Sequence, residues 1–275
     1  MTKKGASSGS KTGKAVPISN QSAGFGIGEL FGDTLKLYAA NPLPFSLAAM
    51  VTFGVYGIFR YPAQQLFVDG KVFQSVGVDL VGLLIAGVIA LPWYHFSLAA
   101  VDGNPISFAE PFQNWRRYGY QAVASFWFWA GILLGLRYLF GLPSVLVLLL
   151  YCFHGFVIVD GSVKGGMMAL GQSVRLSEGR RMLLFGVGCL LLVFNLFGAF
   201  GIGFRDSFGL PAAIGIAIIG LTITTSVTML AGARLYRLCA ADVPPQEPTK
   251  KYVRKRGGGS RAATRRAKAK RKDSK

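Results

Sequence analysis

Residues 77–101 read GVDLVGLLIAGVIALPWYHFSLAAV, and from Leu80 to Val101 they hold no Asp, Glu, Lys or Arg. A helix rises 1.5 Å per residue, so this uncharged stretch reaches roughly 33 Å, enough to cross a hydrocarbon core of about 30 Å. A water-facing helix of that length needs a polar face, and this one has none. Five further apolar stretches lie at 45–60, 121–139, 142–159, 182–203 and 209–233. Backbone groups in lipid must be satisfied within the spanning element, and the alternation of barrel strands is absent, so the stretches predict helices. The expected fold class is all-α integral membrane with six transmembrane helices. The first stretch is short, and Pro62 predicts a break just after it; Pro92 predicts a kink within the second. Composition agrees: 15% of residues are charged, against about a quarter in a soluble domain.

No apolar core with a cleavage site precedes the first stretch, so the first span is expected to act as an uncleaved anchor. Of the 30 Lys and Arg, only Arg60, Lys71, Arg137 and Arg205 lie toward one side of the spans. The others fall before the first span, after the second and fourth, and from Arg234 onward. Basic segments stay inside. Both termini are therefore expected in the cytoplasm, and the chain in the bacterial inner membrane.

Three regions follow from the composition shifts. Residues 1–23 are rich in Lys, Ser and Gly and read as a disordered basic arm; 24–243 form the six-span domain; 244–275, opening with Pro244-Pro245, form a disordered basic tail. Within the domain, Val101-Asp102-Gly103 is echoed by Val159-Asp160-Gly161, and Phe140-Gly141-Leu142-Pro143 by Phe208-Gly209-Leu210-Pro211. Each odd-numbered span follows a polar-apolar stretch: 25–38 with Ile27, Leu30, Phe31, Leu35 and Tyr38 on one helical face, 107–119 with Phe108, Phe112 and Trp115, and 164–180 with Met167, Leu170 and Val174. These predict three units, each a cytoplasmic interfacial helix followed by a helical hairpin, although the end of the third unit does not align. Pro143 and Pro211 suit the first turn of a helix. Small residues at Gly82, Ala86 and Ala90, and at Gly131 and Gly135, predict close helix packing. Trp93, Trp115, Trp127 and Trp129 read as an aromatic belt at headgroup level.

The stretch Leu142-Pro143 through Asp160-Gly161, continued by Ala169-Leu170-Gly171-Gln172-Ser173-Val174-Arg175-Leu176-Ser177-Glu178-Gly179-Arg180-Arg181, resembles bacterial six-span inner-membrane proteins of the YciC-like kind. It is also similar to the membrane domain fused to some glycerophosphodiester phosphodiesterases. Gly28-Glu29-Leu30-Phe31 to Asn41-Pro42 resembles the first interfacial helix of that family, and the resemblance covers about residues 25–240. It implies a six-span fold and carries over no catalytic residue. The phosphodiesterase domain itself is missing from this chain, and the long basic tail is not part of the family pattern.

Chemistry is sparse. The inner parts of the spans hold no Asp, Glu, Lys or Arg, with Asp79 and Arg137 near span ends. His95 and His154 are the ionisable groups deeper in, at related places before the two Asp-Gly turns. As a pair they are candidates for a metal or a proton path, but two ligands are too few for a closed zinc site. Histidines near the cytoplasmic headgroups are the plainer expectation. Cys152, Cys189 and Cys239 are too scattered for a disulfide framework. Gly-x-Ser-x-Gly and His-Glu-x-x-His are absent. No cofactor, metal or catalytic residue is expected.

Asn195 with Thr222, Thr224, Thr225 and Thr228 makes spans five and six the polar ones, either as glue between helices or as the lining of a polar path. The tail carries Lys250, Lys251, Arg254, Lys255, Arg256, Arg265, Arg266, Lys268, Lys270, Arg271 and Lys272, among 13 basic residues over 250–275, against the single acid Asp273. Such a run attracts anionic headgroups or RNA phosphate. The leading expectation is a non-enzymatic membrane protein supporting membrane or envelope organisation through anionic lipid. The alternatives are a transporter or channel for a small or lipid-like solute, and a biogenesis factor that contacts ribosomes through its tail.

Overall fold

The computed structural model describes residues 26–242. Among them the order is α1 Ile27–Ala40, α2 Pro42–Val68, α3 Val72–Ile89, α4 Leu91–Val101, α5 Trp115–Tyr138, α6 Leu142–Tyr151, α7 His154–Asp160, α8 Gly166–Ser177, α9 Arg181–Ala199, α10 Arg205–Phe208 and α11 Leu210–Ala241. No strand occurs in this region. Six segments are long and apolar enough to cross a membrane: α2, α3 with α4, α5, α6 with α7, α9, and α11. The protein is an all-α, multi-span membrane protein, and its large exposed apolar side chains, such as Ile58, Phe73, Met182 and Phe197, suit contact with lipid.

Helix starts follow the prolines. Pro42, Pro92, Pro143 and Pro211 each stand in the first turn of a helix, where a missing N–H removes no helical bond. Pro62 does not act as expected: α2 runs through it to Val68, giving 27 residues in place of a short first span. One lost bond is offset by packing of α2 along α3, with Ala63 fully buried beside the proline. Pro92 does more than kink its span. The helix ends at Ile89, Ala90 turns with φ −69° and ψ −6°, and a new helix begins at Leu91. Span four is broken as well, at Cys152-Phe153.

Two of the three stretches expected before the hairpins are helices, α1 and α8. The middle one is not: 107–119 holds a four-residue 3-10 turn, Glu110–Gln113, and Trp115 already opens α5. Pro111 removes a backbone donor inside the stretch, and Asn114, with φ −124° and ψ 83°, leaves helical geometry, so the stretch forms no continuous amphipathic helix. The tryptophan belt also needs correction. Trp93 is 5% exposed, in a core with Phe45, Ala49, Phe96, Ala100 and Leu230, whereas Trp115 and Trp127 are exposed.

Neighbouring spans pack through small residues. Gly82 lies against Phe59 of α2, Gly131 against Val147, and Gly135 against Ser144. The tightest crossing was not singled out in the sequence. A Cβ on Gly220 of α11 would stand 2.2 Å from the carbonyl oxygen of Gly198 on α9, and one on Gly198 would meet Gly220 at 2.8 Å. Backbone touches backbone here, so no side chain can move aside. Gly220→Ala is expected to destabilise the protein by about 1–3 kcal/mol through overpacking. Gly215→Ala, with open space around it, is expected to be neutral or slightly stabilising. Thermal unfolding of both variants in mild detergent checks the contrast.

Candidate functional site

Breaking a helix inside a membrane frees backbone groups that water cannot reach, and each must find a partner. At the break in span two, the Gly87 carbonyl accepts from Nε2 of Gln121, on α5, at 3.0 Å. At the break in span four, the Phe153 N–H donates to Oγ of Ser173, on α8, at 3.1 Å. His154 Nδ1 donates to the Tyr151 carbonyl at 2.8 Å, which fixes its Nε2 as an acceptor facing the Gln121 amide at 3.5 Å. The same amide reaches Ser125 Oγ at 3.1 Å. Gln121, Ser125, Ser173 and His154 are all buried, so one polar core joins the two breaks.

That core is closely packed. A Cβ on Gly87 would stand 2.7 Å from Ser125 Oγ, and one on Gly155 would lie 2.4 Å from the Tyr94 ring. Gln121 Oε1 has no hydrogen-bond partner. The histidines are not brought together. His95 pairs with Glu110 at 3.5 Å, whereas the ring that meets His154 from α4 is that of its neighbour Tyr94. Among the described residues no three His, Cys, Asp or Glu side chains form a metal-sized group.

A second cluster stands at the end of the bundle where α4, α7 and α11 finish. The two Asp-Gly turns converge on one guanidinium. Arg237 Nε and Nη2 grip Asp102 at 2.8 and 2.5 Å, and Nη1 reaches Asp160 at 2.6 Å. Tyr236 OH donates to the other Asp160 oxygen at 3.1 Å. Gly103 and Gly161 follow the aspartates with φ of 71° and 76°, a left-handed turn that glycine adopts without strain. On the same helix Arg234 binds Asp33 of α1 at 2.7 Å, and Asp242 just beyond it pairs with Arg180, which also donates to the Leu238 carbonyl. The last two turns of α11 thus tie α1, α4, α7 and the start of α9 together.

Basic side chains near this end differ in their partners. Arg180, Arg234 and Arg237 have carboxylate partners, and the exposed Lys36 lies 3.8 Å from Asp33, while the exposed Arg116, Lys164, Arg175 and Arg181 have none among the described residues. The latter border exposed apolar side chains: Phe112 and Trp115 beside Arg116, and Met167 and Met168 beyond Lys164.

Of the expected polar residues, Asn195 Nδ2 donates to the Leu191 carbonyl at 2.8 Å and to Thr228 Oγ1 at 2.9 Å, linking α9 to α11. Thr225 and Thr228 donate to carbonyls four residues back on their own helix, and Thr224 leans on the Leu221 carbonyl. Thr222 is buried, and its hydroxyl has no partner. The tail residues Lys250 to Lys272 lie outside the described residues. The Gln121 core and the Arg237 knot were not identified as sites in the sequence; the repeated Asp-Gly turns were the signal available for the knot. No family model, curated protein or solved structure matches this chain.

Arg237→Gln leaves Asp102 and Asp160 facing each other. Charge-assisted bonds contribute about 1.5–3 kcal/mol when buried, and less here because the groups are a quarter to a third exposed. The expected loss is about 1–3 kcal/mol, read by thermal unfolding in detergent. The Asp102→Asn, Asp160→Asn, Arg237→Gln triple variant should recover part of it, since no unpaired charge remains.

Proposed function

We propose that this chain is a non-enzymatic bacterial inner-membrane protein that supports membrane organisation by gripping anionic lipid at the cytoplasmic face, where both termini lie. The observation that carries this reading is the sorting of charge at one end of the bundle. The arginines that hold helices together are neutralised, and the exposed Arg116, Lys164, Arg175 and Arg181 have no carboxylate partner among the described residues. Uncompensated Lys and Arg beside exposed Met, Phe and Trp side chains form a surface with an apolar part for acyl chains and a basic part for phosphate. Each basic residue near such a surface contributes up to about 1 kcal/mol. The tail over 250–275, with 13 Lys and Arg, extends the same chemistry.

This reading is compatible with the YciC-like resemblance, which implies a six-span inner-membrane fold and no catalytic residue. Broken spans are a feature of solute paths in transporters, which gives the transport reading its best support. Against it stands the close packing of these groups: Asn195 donates to Thr228 and the Gln121 amide to Ser125, even though the acceptor oxygens of Asn195 and Gln121 are left without partners.

The test places the full-length protein in zwitterionic nanodiscs and mixes it with vesicles containing phosphatidylglycerol. Deleting 249–275 together with Arg116→Gln, Lys164→Gln and Arg181→Gln should weaken capture by tenfold or more, on the order of 1 kcal/mol per cation. Equal capture by both proteins would overturn the reading. Ribosomal RNA retained at physiological salt by the full-length chain would favour the biogenesis alternative instead.

A further inference from the structure

Helix α8 lies across the bundle. Its Ser173 holds the backbone of Phe153, and Gly166 at its start abuts the Tyr120 carbonyl of α5. Phe153 is seven residues before Asp160, so the Ser173 contact lies roughly 10 Å from the Arg237 knot along span four. One side of α8, with Ala169, Leu170, Ser173, Leu176 and Ser177, is buried. Met167, Leu170, Gly171 and Val174, spaced as one helical face, line a cleft of about 310 Å³ whose other wall is Trp127 of α5 and Tyr151 of α6.

The cleft is half-open and apolar along α8, with Met167, Leu170 and Val174 facing Trp127, a lining that suits a hydrocarbon chain. Gly171 leaves it open: a Cβ there would meet nothing within 4 Å. Arg175 does not line the cleft, but it follows Val174 and stands one turn from Gly171, which puts it beside the same helical face; it is exposed and has no carboxylate partner among the described residues. An apolar slot with an uncompensated cation at its rim is complementary to an acyl chain joined to a negative headgroup.

We infer that the cleft under α8 holds one acyl chain of an anionic phospholipid, with the phosphate at Arg175. This rests on the lipid-gripping reading above and gives it a defined site. The bound lipid also covers the exposed Trp127 edge and the open flank of α8, so it acts as a packing element between α8 and the α5–α6 hairpin.

The test is native mass spectrometry of the full-length protein, delipidated and then given equal amounts of phosphatidylglycerol and phosphatidylethanolamine. One phosphatidylglycerol should be retained per chain, favoured about fivefold, the effect of one surface cation. Gly171→Phe should fill the slot and abolish retention. Arg175→Gln, an exposed change that leaves the core intact, should retain lipid with the preference lost, and it carries the test if the Phe variant fails to fold. Retention by folded Gly171→Phe, or a wild-type protein that takes both lipids equally, would overturn the inference. The variant lacking 249–275, Arg116, Lys164 and Arg181 should keep the lipid, so loss of vesicle capture and loss of the slot are separate results.

Discussion

The guanidinium of Arg237 joins the ends of two hairpins at the basic end of the bundle. Arg237 presents three donors, two to Asp102 and one to Asp160, and those carboxylates end the second span of each of the first two hairpins. A planar fork binds one carboxylate through two parallel bonds while reaching a second, a geometry that the ammonium of lysine does not reproduce. The failed alignment of the third unit thereby has a physical cause. If all three units ended in Asp-Gly, three like charges would meet at one end. The third runs on through α11 and supplies the opposite charge.

The lower part of the molecule obeys a different constraint, that backbone in lipid must be satisfied from within. Spans two and four are broken, and side chains from neighbouring helices, Gln121 and Ser173, take up the freed groups. This makes α5 and α8 structural necessities for the spans they touch. It also explains why α8 is seated against the bundle instead of floating on the membrane: Ser173 ties it to the break in span four. The open cleft along its other flank follows from that seating.

The fold was legible because its signal is coarse. Uncharged runs of about 20 residues specify spanning helices, and the prolines mark where several of them begin. Local details resisted for local reasons. A proline such as Pro62 is decided by how well the helix around it is packed, and the segment 107–119 has apolar residues at helical spacing but is interrupted by Pro111 and the non-helical Asn114. Of the site, the Asp-Gly repeats were visible, but their partner Arg237 looked like one more basic residue before a basic tail. Gln121 carries no signal of its role, since nothing in a sequence says which carbonyl a break will free. The glycines at 198 and 220 lie on different spans, so their meeting exists only in three dimensions.

The lipid-gripping role requires the Arg237 end, with its outward cations, to face the cytoplasm and its anionic leaflet. A direct measurement is labelling of single cysteines in intact cells with a membrane-impermeant maleimide, after Cys152, Cys189 and Cys239 are replaced by Ala. Asp69→Cys, in the exposed turn between α2 and α3, should be labelled in intact cells, and the exposed Lys164→Cys only after lysis. The reverse pattern would put the basic end outside and contradict the proposed role.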